Sequence, residues 1–109
     1  MGHLKYANNA APIEIADEML AHLRAVTVTK LRRGESFALT VPTSSHAFET
    51  LWIHASIPIQ FALDDSIRLE RSLLASMMEA ASSSGGLDLG DERLTMGIRT
   101  TRPLHAMSA

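Results

Sequence analysis

The sequence predicts an α+β fold: a small antiparallel sheet in the order β-β-α-β-β-β-α-β, with two helices packed on one face. Three observations lead there. Phe37, Leu39 and Val41 alternate with Ser36, Ala38 and Thr40, and Ile59, Phe61 and Leu63 alternate with Gln60 and Ala62. That period of two belongs to half-buried strands. Two other stretches repeat apolar residues at helical spacing, one from Met19 to Leu31 and one from Leu69 to Ala81. Runs of strands interrupted by helices define the class.

The elements follow in order. Leu4 and Tyr6 alternate with His3 and Lys5 as a first strand, and Asn8-Asn9-Ala10-Ala11-Pro12 supplies turn chemistry. Ile13 and Ile15 flank Glu14 and complete a hairpin. Asp17 is the expected N-cap of the first helix, and Glu18 favours its first turn. Thr27 and Thr29 weaken helix propensity, so packing must hold the later turns. Lys30, Arg32 and Arg33 suit the helix C-terminus, and Gly34 suits the left-handed position beyond it.

After the strand at 37–41, Pro42-Thr43-Ser44-Ser45-His46 reads as a loop. Glu49 to His54 reads as the next strand, Ala55 to Pro58 as a turn or bulge, and Ile59 to Leu63 as another strand. Asp64-Asp65-Ser66 is an N-cap cluster from which a helix is expected to run to about Ser82. Ser82-Ser83-Ser84-Gly85-Gly86 ends it, and Leu87-Asp88-Leu89 forms a last strand. Periodicity then disappears. The expected organisation is one domain over residues 1–89 and a flexible C-terminal tail over 90–109.

Composition bounds the function. A chain of 109 residues holds one domain and buries roughly 60–70% of the surface its unfolded form exposes. Cysteine is absent, which removes disulfides, thiolate nucleophiles and cysteine metal sites. No apolar run approaches the ~20 residues of a membrane span, and Met1 to Tyr6 shows no leader pattern. The expected location is the cytoplasm, with no membrane partner.

The formal net charge is -2, so the whole molecule has no pull toward nucleic acid. The charge is unevenly spread. Residues 1–34 hold five basic and three acidic groups, whereas residues 64–109 hold five basic and seven acidic groups.

Catalytic signatures are absent. His3, His22, His46, His54 and His105 form no His-x-x-x-His pair and have no cysteine beside them, so no metal site and no cofactor are expected. Asp64 and Asp65 are explained by helix capping and Asp88, Asp91 and Glu92 by solvation. Gly85-Gly86-Leu87-Asp88-Leu89-Gly90 follows a helix and cannot place a phosphate on a helix N-terminus. No serine has an evident base partner. Catalysis by His54 or His22 as a base is the last-ranked reading, and no catalytic residue is assigned.

Binding residues have a better case. Lys30, Arg32 and Arg33 concentrate three of the ten Lys and Arg residues. They adjoin the strand starting near Ser36, and the outer face of the expected sheet carries Trp52 and His54. Cations beside an aromatic suit single-stranded nucleic acid or a nucleotide. Trp52 equally suits a dimer interface, where tryptophan is enriched.

Several separated motifs occur together: Met1-Gly2-His3-Leu4-Lys5-Tyr6, Leu20-Ala21-His22-Leu23, Lys30 to Phe37, Trp52-Ile53-His54-Ala55-Ser56-Ile57-Pro58, and Leu69-Glu70-Arg71. In these the chain resembles a family of small uncharacterised actinobacterial proteins whose members often carry the label "ATP-dependent DNA ligase". The resemblance covers residues 1–89. It departs at Ala55, where relatives have proline, and at Glu70, where they have asparagine.

The label implies a DNA-related role. Self-contained ligation would need a nucleophilic lysine in Lys-x-Asp-Gly and a nucleotide-binding domain. The chain has only Lys5 and Lys30, and Lys30 is followed by Leu31-Arg32-Arg33-Gly34. The expectation is a non-catalytic binding or accessory module that contacts nucleic acid or a DNA-processing protein through Lys30, Arg32, Arg33, Trp52 and His54. The alternative is a homodimer paired through the Trp52 face.

Overall fold

The computed structural model describes residues 2–7, 11–43, 47–64, 66–91 and 94. The expected class and element order hold: β1 (Gly2–Tyr6), β2 (Ile13–Ile15), α1 (Asp17–Arg32), β3 (Phe37–Pro42), β4 (Phe48–Ile53), β5 (Ile59–Ala62), α2 (Arg71–Ala81) and β6 (Leu87–Asp88). The expectation of a single sheet is corrected. The strands divide into two three-stranded sheets, β2-β1-β5 and β4-β3-β6.

The division occurs between β4 and β5. Ile57 N–H donates to His54 O at 3.0 Å, and Ala7 N–H donates to Pro58 O at 2.8 Å. This turn delivers β5 to β1, which it pairs from His3–Ala62 to Tyr6–Ile59. β4 stays antiparallel to β3, from Phe37–Ile53 to Pro42–Phe48. β6 joins the other side of β3 in parallel.

Each helix packs on its own sheet, and the helices pack on each other. α1 contacts β1, and α2 contacts β3 and β6. The core between them includes Leu4, Leu20, Leu23, Val26, Leu39, Ile53, Met77 and Leu87, all sealed from solvent. Phe37, Leu39, Val41 and Ile53 are buried, while Leu51, Ile59, Phe61 and Leu63 are partly buried against the same core.

α1 ends as its sequence requires. Gly34 adopts φ +73, a conformation that costs glycine little. Gly34 N–H donates to Leu31 O at 3.0 Å, and Glu35 N–H to Lys30 O at 2.9 Å. These bonds satisfy carbonyls that the helix end leaves open. The N-terminus differs from expectation: Ala16 is the N-cap, with extended backbone and no side-chain cap bond, and Asp17 joins Glu18 in the first turn. Both carboxylates still lie where the helix dipole favours negative charge.

α2 is shorter than its sequence suggests, starting at Arg71 instead of the Asp64 cluster. Asp64 Oδ1 accepts from Ser66 N–H at 2.9 Å and so closes a local turn. That turn competes with helix formation. Glu70 is held extended at φ -95 and ψ 122 because its N–H is donated to His22 Nε2 at 2.7 Å. Leu69 is consequently exposed outside the helix, whereas Leu73, Met77 and Ala81 form the buried stripe.

Of the expected tail, Gly90, Asp91 and Leu94 are described, and Leu94 is buried with the core. The rest of that tail lies outside the described residues. So do the expected turn at Asn8–Ala10, the loop residues 44–46, and Asp65, Glu92 and His105. Among the described residues, no helix is long and apolar enough to cross a membrane.

Candidate functional site

The β3–β4 ladder creates the surface of interest. Its inner face carries Phe37, Leu39, Val41 and Ile53 into the core. The pleat turns alternate residues outward, so Ala38, Thr40 and Pro42 share the other face with Trp52, Thr50 and Phe48, their cross-strand partners. Thr40 Oγ1 and Thr50 Oγ1 are hydrogen-bonded at 2.9 Å. Trp52 is 57% exposed and Phe48 61%.

Small neighbours explain the exposure. Ala38 stands opposite Trp52, and Gly90 lies under the Phe48 ring, where an added Cβ would come within 2.6 Å of Cε1. Nothing among the described residues covers either ring. Exposed large aromatics on one face are informative because scattered apolar atoms are ordinary on a protein surface and aligned ones are not.

The predicted binding residues fall into two groups. Arg32 and Arg33 are exposed, and only Gly34, Glu35 and Ser36 separate Arg33 from the start of β3. The spacing of successive Cα atoms keeps Arg33 within about 15 Å of Phe37. Phe37 pairs with Ile53, so Trp52 and His54 lie at the same end of the ladder. His54 is exposed; its Nδ1 accepts from Ser56 N–H at 3.0 Å and lies 2.8 Å from Ser56 Oγ. That arrangement leaves Nε2 to carry the ring proton in the neutral form.

Lys30 stands apart. It is 5% exposed, and its Nζ lies 3.1 Å from Glu35 Oε1 and 3.2 Å from Ser82 Oγ. Its charge ties the end of α1 to the end of α2. Arg32 and Arg33 are therefore the members of the basic cluster that face solvent.

His22 is also structural in its contacts. It is fully buried; Nδ1 lies 2.7 Å from Glu18 O, and Nε2 accepts from Glu70 N–H. Both ring nitrogens are engaged, which leaves none to act as a base. Among the described residues, no three His, Asp or Glu side chains converge as a metal site.

Two site features escape the sequence reading. Phe48 lies one residue before the expected strand at Glu49, and the same alternation carried one step back places it beside Thr50 and Trp52. Tyr6 donates its hydroxyl to Trp52 O across the boundary between the sheets. Burial raises its pKa from the ordinary 10.0, partly offset by the His54 backbone N–H. No sequence spacing signals this contact, because 46 positions separate its partners. A separate shallow cleft of about 280 Å³ lies on the first sheet between His3, Lys5, Pro12, Gln60 and Ala62.

Fold and surface together define a class: a small two-sheet α+β domain with an open aromatic strand face and buried polar links between its helices. The chain belongs to the family described as a domain of unknown function (DUF7882), whose model matches residues 1–92. No curated protein and no solved structure matches it.

Proposed function

We propose that the chain is a non-catalytic binding module for single-stranded nucleic acid, with the outer face of the β3–β4 ladder as its contact surface. The observation that carries this reading is the alignment of exposed Phe48 and Trp52 on one uncovered face. Unpaired bases stack on such side chains, each contributing about 1–3 kcal/mol. Arg32 and Arg33 flank the Trp52 end and would meet phosphates, and His54 would donate from Nε2. Lys30, committed to Glu35 and Ser82, takes no part in contact. An accessory role beside a DNA-joining enzyme is consistent with this surface and with the ligase label of the resembling proteins.

The test is a fluorescence titration of Trp52, the single tryptophan. Single-stranded oligonucleotide is added at two salt concentrations, with a duplex of the same sequence as comparison. Quenching stronger for the single strand is expected. Arg32→Ala and Arg33→Ala should each reduce the log–log salt slope by about 0.7. Unchanged emission, or binding indifferent to both arginines, would overturn the reading.

A further inference from the structure

β4 is an edge strand, and its backbone groups divide by parity. Thr43 N–H donates to Ala47 O at 2.8 Å. Antiparallel ladders alternate bonded and unbonded pairs, so Glu49, Leu51 and Ile53 direct their N–H and C=O toward β3. Pro42, which has no N–H, accordingly stands opposite Phe48 at an unbonded position. Phe48, Thr50 and Trp52 thus direct their backbone groups to the free edge. Tyr6 takes one lone pair of the Trp52 carbonyl there. Among the described residues, no strand pairs with that edge.

We infer that the β4 edge pairs antiparallel with β4 of a second copy of this chain, with Thr50 opposite Thr50 across the two-fold axis. Three registers bring two or more pairs of outward-directed groups together. One centres on Glu49 and sets like charges directly opposite, which is destabilising. One centres on Leu51 and crowds the two Tyr6 contacts into the middle. The third centres on Thr50, and there Phe48 faces Trp52 of the second copy on the outer face, twice over. Cross-strand aromatic pairs stabilise a sheet. Thr50 exchanges both backbone bonds with its symmetry mate and leaves the Tyr6 contacts at the ends.

Charge supports a second copy as the occupant. The Trp52 end of the ladder carries the exposed Arg32 and Arg33, while the Phe48 end carries Glu49 and, next to the Gly90 that meets the Phe48 ring, Asp91. Antiparallel pairing sets the basic end of one chain against the acidic end of the other. Such complementarity fixes register and favours the correct partner.

The pairing yields one sheet of six strands whose outer face carries two Phe48 and two Trp52 side chains. This deepens the proposed function by giving the nucleic-acid surface residues from both copies. The pairing rests on the edge and the charges that flank it and stands without that function.

Sedimentation equilibrium of the full chain tests it. The expected mass is twice 11.9 kDa; a mass of 11.9 kDa at every concentration reached overturns the inference. Thr50→Lys sets two ammonium groups against each other at the axis and should yield monomer, with far-UV circular dichroism unchanged. Thr50→Pro should do the same, because it removes only an outward N–H. Thr50→Val keeps that N–H and should remain dimeric. A Thr50→Lys protein that is folded and still dimeric would show that another surface joins the copies.

Failure of the dimer and failure of nucleic-acid binding are distinguishable. Thr50→Pro changes no charge, so a monomeric variant that still quenches with oligonucleotide shows the two properties to be separate, and a dimeric native chain without quenching overturns the nucleic-acid reading alone. Thr50→Lys adds positive charge, so its loss of dimer mass cannot be mistaken for loss of phosphate attraction.

Discussion

The junction between the helices and the outer face of the second sheet handle polar and apolar groups in opposite ways. At the junction, His22 and Lys30 are buried, and each is engaged by polar partners: His22 with Glu18 O and Glu70 N–H, Lys30 with Glu35 and Ser82. On the sheet face, Phe48 and Trp52 are large, apolar and left in water. Buried polar groups must be satisfied or they cost stability. Exposed apolar groups carry no such requirement within the monomer, and their natural use is contact with something else. Polarity therefore misleads about function here: two of the best-looking chemical groups hold the fold together, and two hydrophobic ones face outward.

This contrast is broken most directly at His22. His22→Leu keeps the apolar bulk but leaves Glu70 N–H without its acceptor, at a cost of about 1–3 kcal/mol. For a domain of this size that lowers Tm by roughly 4–8 °C per kcal/mol. Thermal unfolding by circular dichroism checks it. An unchanged Tm would mean that the imidazole does not fix the start of α2.

The opposite region should tolerate truncation. Trp52→Ala and Phe48→Ala should each alter stability by no more than about 0.5 kcal/mol, while removing most oligonucleotide binding. A large loss of stability from either would place that ring in the core and end its candidacy as a contact residue.

The smallest effect is at the border between the sheets. Burial raises the Tyr6 pKa above 10.0, with the His54 N–H opposing it. The folded chain thus holds the phenol proton to higher pH than the unfolded chain. The resulting contribution is fully present below the unfolded value and disappears as pH rises through the folded one. Absorbance titration of this single tyrosine should give a midpoint above that of the urea-unfolded chain. Tyr6→Phe should abolish the signal and this part of the alkaline destabilisation. Coincident midpoints would show that the phenol is not buried at the border between the sheets.

The sequence carried α1 and β3 well because their signals are local. The helical apolar spacing, the terminal cations and Gly34 all lie within one stretch, and their conclusions agree. It misjudged the start of α2 because the Asp64 turn looks like a cap, and the bond that holds Glu70 extended comes from His22, 48 positions away. Alternation also placed Trp52 on the correct side of β4 but stopped one residue short of Phe48.

The sequence by itself determined the α+β class, the order of the elements, the cation-bearing end of α1 and the outward alternation of Trp52. Each follows from spacing over a few residues. Only tertiary structure decided that the strands form two sheets, that Lys30 turns inward to Glu35 and Ser82 while Arg32 and Arg33 stay in water, and that Tyr6 meets Trp52. These outcomes depend on which distant segments come together, and a local pattern of polarity holds no record of its long-range partners.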